Sequence, residues 1–245
     1  MAEIVTGKNP VVAAVRGGQQ VNVIYIAEDI EARALQGLVA DAKEQGAKIK
    51  RIPRVKLDAM APGVKHQGFI AEVIPYNYFE LEEVIAFAEA SGQPPLLLLL
   101  DGVQDTMNFG AIIRSAEAFG CHGIIIGRDR SAPVNDVVMR SSAGAVSFMK
   151  IARVTNLSHT VKMLKEKNIW VTGAEMSGGE NYAAIDYTGA TALIIGGEDH
   201  GLGRLLASHC DHLAKIPLSG QTPSLNASVA AGVFLAEVSR QRLCR

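Results

Sequence analysis

Aromatic side chains are scarce in this chain, 5% of 245 residues with a single tryptophan, and neither sign of charge prevails, since 24 Lys and Arg face 25 Asp and Glu. Cysteine is sparse as well. Cys121, Cys210 and Cys244 are far apart and odd in number, which excludes a disulfide framework and points to a reducing compartment. Long apolar runs are lacking: the longest all-aliphatic one, Leu96 to Leu100, falls well short of the roughly 20 residues of a membrane span. The stretch from Met1 to Gly18 carries charges and no apolar segment of about 7–15 residues, so no signal peptide is expected. No internal repeat of about 20–50 residues is visible. These absences predict a soluble, cytoplasmic protein without membrane contact.

What is present is ordinary globular material, 48% apolar and 20% charged, outside the composition that keeps a chain disordered. A folded chain of this length hides roughly 70–75% of its unfolded surface and accommodates one large or two small domains. The pattern favours two. Val21 to Ile26 reads as a β-branched strand, Ile30 to Gln45 as a helix closed by Gly46, and Ile49 to Pro53 and Gly68 to Ile74 as strands, the last ending at Pro75. This β-α-β-β unit sets a first domain over residues 1–75. Residues 76–95 mix Tyr76, Tyr78 and Phe79 with Glu80, Glu82 and Glu83 and finish in Ser91-Gly92-Gln93-Pro94-Pro95, an amphipathic connecting segment followed by a hinge or linker. Over residues 96–245, the runs Leu96 to Leu100, Gly123 to Ile126, Ile169 to Thr172 and Ala192 to Ile195 have strand length and are separated by helix-length sequence. Strands buried on both faces have this composition. They predict an α/β fold with a mostly parallel sheet, whose ligands sit at the carboxyl ends of the strands.

Four segments could carry chemistry. Between residues 43 and 65 stand seven bases and two acids, which suits a phosphate backbone or, more plainly, an edge strand protected by Lys and Arg. After the Leu96 to Leu100 strand, Asn108 is a candidate N-cap, and Phe109, Ile112, Ile113, Ala116 and Phe119 recur at helical spacing before Gly120. At about 100° per residue, Arg114 lies opposite that stripe and faces solvent or a ligand. Gly196-Gly197-Glu198-Asp199-His200-Gly201 ends another buried strand, where missing side chains let a backbone or a flat ligand approach closely. Residues 216–228 crowd Ser219, Gln221, Thr222, Asn226 and Ser228 into one bend before a helix over Val229 to Gln241, with Ser224 or Asn226 as its cap. Two other chemistries fail on spacing. His209-Cys210-Asp211-His212 lacks a metal-binding pattern and a second cluster, so no metal is expected, and no Gly-x-Ser-x-Gly elbow accompanies Ser224.

Taken together, Asn108-x-Gly110 with Arg114, Gly196-Gly197-Glu198-x-x-Gly201, and Ile216-Pro217-Leu218-x-Gly220 through Ser224-Leu225-Asn226-x-Ser228 resemble the SpoU/TrmH branch of the SPOUT RNA methyltransferases. The N-terminal portion, with Gly7-Lys8-Asn9-Pro10-Val11-Val12 and His66-Gln67-Gly68, is similar to the ribosomal-protein-like RNA-binding domain of members that modify large-subunit ribosomal RNA. Thr106 stands where many relatives have Pro, which loosens the entry to the first motif. The resemblance implies a trefoil-knotted catalytic domain, an exception to the rule against threaded chains. It also implies S-adenosylmethionine as cofactor and a homodimer whose two subunits complete the site. Gly196, Gly197, Ile216, Leu218 and Leu225 are then expected around the cofactor, and Arg114, Asn108, Glu198, Ser224 and Asn226 on the catalytic, RNA-facing side.

The implied reaction moves a methyl group to a ribose 2′-hydroxyl, so rate must come from positioning and from stabilising a developing alkoxide. Arg114 suits the second task, because guanidinium is a poor proton acceptor, and Glu198 is placed to orient it or to cap a helix. The expected substrate is a guanosine of 23S ribosomal RNA. Competing readings are a tRNA ribose methyltransferase, a resistance enzyme acting on rRNA adenosine, and a non-catalytic RNA-binding module. A nucleotide-dependent oxidoreductase would need Gly-x-Gly-x-x-Gly after the first strand and an acid about 20 residues on, which the chain does not have.

Overall fold

The computed structural model describes residues 3–16, 21–31, 35–44, 46–73, 76–176, 178–198 and 201–243. Its first elements are β1 (Glu3–Thr6), α1 (Lys8–Arg16), β2 (Val21–Ala27), α2 (Gln36–Glu44), β3 (Lys48–Ile52), α3 (Arg54–Met60) and β4 (Phe69–Val73). There follow α4 (Leu81–Ala90), β5 (Leu96–Asp101), α5 (Thr106–Ala118), β6 (Gly123–Gly127), α6 (Asp136–Ser141), β7 (Ile151–Val154) and α7 (Leu157–Glu166). The chain continues through β8 (Trp170–Ala174), β9 (Glu180–Asn181), β10 (Thr191–Gly196), α8 (Arg204–Ala207), β11 (His212–Lys215) and α9 (Ala227–Leu243). Residues 1–77 with 133–148 make one compact unit, and 78–132 with 149–245 the other. No helix among the described residues is long and apolar enough to cross a membrane.

The first unit holds a four-stranded sheet in the order β1-β4-β2-β3, with β4 antiparallel to both neighbours and β2 parallel to β3. The expected β-α-β-β order is present as β2, α2, β3 and β4, with β1, α1 and α3 added. Pro10 masks α1 in the sequence, yet it stands in the first turn, where a missing backbone N–H costs no helical bond. The helix expected from Ile30 starts at Gln36, and Gly46, at φ 75°, closes it; Gln45 lies outside the described residues, as do Ile74 and Pro75 at the end of the last expected strand. Three of the seven bases of residues 43–65 stand on the edge strand β3. In β3, Lys48, Lys50 and Arg51 are exposed, Arg51 reaches the carbonyls of Glu28 and Ile30, and Arg54 pairs with Asp29 at 2.7 Å. Residues 133–148 are part of this unit: Arg140 Nη1 donates to Thr6 Oγ1 at 3.0 Å, and a Cβ on Gly144 would stand 2.2 Å from that of Ala13.

The second unit is built on a seven-stranded sheet in the order β7-β6-β5-β10-β8-β11-β9, with every pair parallel among the described residues. The four strands read from the sequence are β5, β6, β8 and β10, and Leu96 to Leu100 and Thr191 to Ile195 are buried throughout. The shorter β7, β9 and β11 were not anticipated, because two to four residues carry no readable period. The stretch 76–95 contains α4, which places Leu81, Val84, Ile85 and Ala88 in the core beside Leu97, Leu99 and Ile125. Those four positions form an i, i+3, i+4, i+7 stripe, so the amphipathic character expected of this segment belongs to a core-packed helix rather than to a connector. At the far end of the chain, the Arg242 guanidinium donates to the carbonyls of Tyr187, Pro94, Pro95 and Gly189 at 2.7–3.1 Å, which fastens α9 to the starts of β5 and β10. Strand order reverses between β5, whose successor β6 lies on one side, and β10, whose neighbour on the other side is β8. Crevices for ligands form at such a switch point.

Candidate active site

Gly196 ends β10 in register with Asp101 at the end of β5. A Cβ on Gly196 would lie 2.2 Å from the carbonyl carbon of Gly201, and one on Gly197 would lie 2.4 Å from the Gly102 oxygen. The two glycines are therefore required by the approach of other backbone segments rather than by a flat ligand. One main-chain bond and one to a side chain lock that approach: Gly197 N donates to Asp101 O at 2.7 Å, and Gly203 N donates to the Asp101 carboxylate at 3.0 Å. Asp199 and His200, within the same motif, lie outside the described residues.

Beside this bend three side chains converge from three elements. Asn108 is not the cap of α5, as its sequence position had implied. The cap is Asp105, whose carboxylate accepts from Asn108 N at 2.7 Å. Asn108 thus sits in the first turn with its amide free to work elsewhere, and its Nδ2 donates to Glu198 Oε1. Asn226 Nδ2 donates to the same Glu198 oxygen at 2.8 Å and to Asn108 Oδ1 at 3.0 Å. Asn226 Oδ1 meanwhile caps α9, accepting from Ser228 N at 2.9 Å and Ser228 Oγ at 2.6 Å. The amide cannot be reversed, since its oxygen faces two donors and its nitrogen two acceptors. One residue therefore starts a helix and fixes a carboxylate.

A cavity of about 320 Å³ opens against this cluster, within the size range of small-molecule sites. Gly196, Gly197, Ile216, Leu218 and Leu225 all line it, together with Glu198, Ser224 and Asn226. Ser224 makes no hydrogen bond to the three-residue cluster, and Ser219, Gln221 and Thr222 are exposed outside the cavity wall. Asn108 faces a smaller cavity of about 180 Å³, formed with residues 102–105, Glu198 and Ala227. Arg114 joins neither. It lies six residues beyond Asn108, about 240° around α5 and about 9 Å along it, exposed and without an ion pair or hydrogen bond among the described residues. Glu198 therefore orients the two amides and not Arg114.

Sequence reasoning overlooked Ala174, Glu175 and Met176, at and just beyond the end of β8, and Phe234 of α9, all of which line the larger cavity. Their signal was available, since β8 was expected as a parallel strand and its carboxyl end as ligand territory. Glu175 decides the electrostatics. Glu175 and Glu198 line the cavity, and among its described lining residues there is no Lys, Arg or His. Thiol chemistry has no support elsewhere: burial pushes Cys121 up to about 12 and, with Asp211 adding to it, Cys210 up to about 11, while Cys244 lies outside the described residues. In the stretch with metal-capable side chains, Asp211 pairs with Lys165 at 2.7 Å and His212 with Glu180 at 2.9 Å.

Comparison with known proteins matches residues 95–236 to the SpoU rRNA Methylase family and residues 4–79 to the family described as RNA 2′-O ribose methyltransferase substrate binding. The chain belongs to the SpoU rRNA methylase family. A Bacillus subtilis (strain 168) relative, named as the TrmH family tRNA/rRNA methyltransferase YacO, is 40% identical over 240 residues, covering 98% of this chain and 96% of its own. Among solved structures, the SpoU methyltransferase AviRb from Streptomyces viridochromogenes, in complex with the cofactor AdoMet, superposes with a TM-score of 0.81 at 26% identity over 99% of this chain and 91% of that one. A TrmH/SpoU tRNA modifying enzyme from A. aeolicus matches with a TM-score of 0.57 at 27% identity, over 66% of this chain and 83% of that one. This SpoU protein is thus an RNA methyltransferase of the 2′-O-ribose type, and its glycine-rich bends and asparagine–glutamate cluster occupy the parallel-sheet unit that the methylase family spans.

Proposed function

We propose that the protein transfers the methyl group of S-adenosylmethionine to the ribose 2′-hydroxyl of a guanosine in 23S ribosomal RNA, acting in the cytoplasm as a homodimer with a trefoil-knotted catalytic domain. The observation that carries the cofactor assignment is the anionic cavity. S-adenosylmethionine bears a sulfonium, an ammonium and one carboxylate, a net positive charge that suits walls containing Glu175 and Glu198 and no described cation. A dinucleotide with its phosphates would be repelled there. Ile216, Leu218, Leu225 and Phe234 would enclose the apolar parts of the cofactor, and the Gly196–Gly197 backbone would form the floor. The pressing of Gly196 and Gly197 on the Gly201 and Gly102 backbones supports a threaded connection at this point.

When bound, the cofactor supplies an electrophilic methyl group. The chain's own task is to hold the acceptor oxygen in line and to stabilise the charge that develops on it. The Asn108–Glu198–Asn226 cluster, immobilised by mutual hydrogen bonds, supplies positioning, and Ser224 adds a hydroxyl on the cavity wall. Arg114 is the stabilising cation, and its place outside the cavity of its own chain supports a site completed by the second subunit. Met107 and Val229, 59% and 51% exposed in the first turns of the packed helices α5 and α9, give that subunit an apolar surface to cover. Ribosomal RNA is favoured over tRNA because residues 4–79 match a substrate-binding family, whereas the tRNA modifying enzyme from A. aeolicus covers only two thirds of this chain. We read residues 1–75 as the RNA-binding domain and residues 96–245, apart from the segment 133–148 that packs with the first unit, as the catalytic one. The test is a map of 2′-O-methyl sites in ribosomal and transfer RNA from cells with and without the gene, beside calorimetry with S-adenosylmethionine. A guanosine mark in 23S RNA that vanishes with the gene is the expected result; a mark lost from tRNA alone overturns the substrate, and no cofactor uptake overturns the reaction.

A further inference from the structure

A separate cavity of about 350 Å³ opens at the carboxyl ends of β6 and β7, lined by Tyr78, Phe79, Glu80, Arg128 and Arg153. Arg128 directly follows β6, and its backbone is pinned on both sides: its N–H donates to Val154 O at 2.8 Å, and its carbonyl accepts from Arg153 Nη2 at 2.8 Å. The guanidinium of Arg153 lies 4.9 Å from the centre of the Tyr78 ring, and its Nε is buried with no hydrogen-bond partner. Lys150 adds a further cation, 4.1 Å from the Phe79 ring centre. Neither arginine forms an ion pair among the described residues, and the acid in the cavity wall is Glu80, so the site is cationic.

Solvated surface arginines are common and need no ligand. This pair differs in three respects: one partner is held by the other's backbone, one buried N–H donor goes unanswered, and an aromatic ring backs the planar cation. Paired guanidinium groups recognise phosphate oxygens, and a flat cation stacked on an aromatic ring offers a surface to an unpaired base. The sign of charge is opposite to that of the cavity lined by Glu175 and Glu198, which fits two ligands of opposite charge on one sheet edge. In strand order β6 and β7 lie two and three places from β10, about 10–15 Å along the same carboxyl edge. A single RNA strand covers that separation in a few nucleotides.

We propose that this cavity is a docking subsite for a nucleotide flanking the methylated one, with Arg128 and Arg153 on its phosphate and the Arg153–Tyr78 stack beneath its base. The inference rests on the reading that the substrate is RNA. The test compares the full-length wild type with R128A, whose side chain is exposed, and with R128A/R153Q, after thermal melting confirms that each is folded. RNA affinity is measured against salt concentration by filter binding, and cofactor affinity by calorimetry. R128A is expected to weaken RNA binding roughly tenfold and to reduce the salt slope by about one, with a further loss in the double variant, while cofactor affinity stays at the wild-type value. Wild-type RNA affinity and salt slope in folded R128A and R128A/R153Q overturn the subsite and leave the methyltransferase reading intact. Failure of the wild type itself to bind RNA overturns both.

Discussion

Asn226 carries two duties with one amide, and they can be separated. Its oxygen caps α9 and its nitrogen holds Glu198 and Asn108. Asn226→Ser keeps an oxygen for the cap but removes the amide nitrogen that holds Glu198 and Asn108, so folding stability should hold while turnover falls by about tenfold or more. Asn226→Ala should lose the same turnover and, in addition, about 1 kcal/mol of stability with the cap. Urea denaturation beside a single-turnover methylation assay distinguishes the two, and equal stability losses in both variants would refute the division. Both duties had a trace in the sequence. The cap was readable only as one of two candidates, Ser224 or Asn226, and its link to Glu198 and Asn108 spans 28 and 118 residues and depends on three elements meeting.

At the scale of the element, the glycine-rich bends are not equivalent. Gly197 faces the Gly102 backbone, whereas a Cβ on Gly220 would meet nothing within 4 Å. Gly197→Ala should therefore cost about 2–3 kcal/mol, because backbone cannot yield as a side chain does, and should abolish cofactor uptake by displacing the floor of the cavity. Gly220→Ala should stay within about 0.5 kcal/mol of the wild type. Denaturant unfolding and calorimetry check both, and a stable, cofactor-binding Gly197→Ala would disprove the close-approach account. The strands of the catalytic unit were legible where both faces are buried, as in Leu96 to Leu100. The helix α4 was legible only as an amphipathic connection, because its four apolar positions are interleaved with Glu82, Glu83 and Glu89 beside an aromatic approach.

At the scale of the whole molecule, the chain passes between its two units three times, after residues 77, 132 and 148. A single cut in residues 76–80 should therefore not release the N-terminal unit, since residues 133–148 remain packed into it through Arg140 and Gly144. Limited proteolysis followed by native size-exclusion chromatography should show the nicked fragments eluting together, and a fragment of residues 1–77 produced alone should melt below the full chain. Clean release of a stable N-terminal fragment would contradict this. Nothing local announces that residues 133–148 belong with the first unit; a segment's allegiance is a matter of which surface it buries.

The amino-acid sequence by itself determined the class of sheet, the positions of its four central strands and the three motifs that carry the family resemblance. Each of these depends on composition and spacing within about a dozen residues. The tertiary structure alone decided that Asp105 rather than Asn108 caps α5, that Gly196 and Gly197 yield to neighbouring backbone, that Glu175 makes the cavity anionic, and that Arg114 stands apart from it. Those outcomes depend on how side chains and backbones pack in three dimensions, from Asp105 against Asn108 to Gly197 against Gly102, and the free energy of that packing cannot be read from composition and spacing.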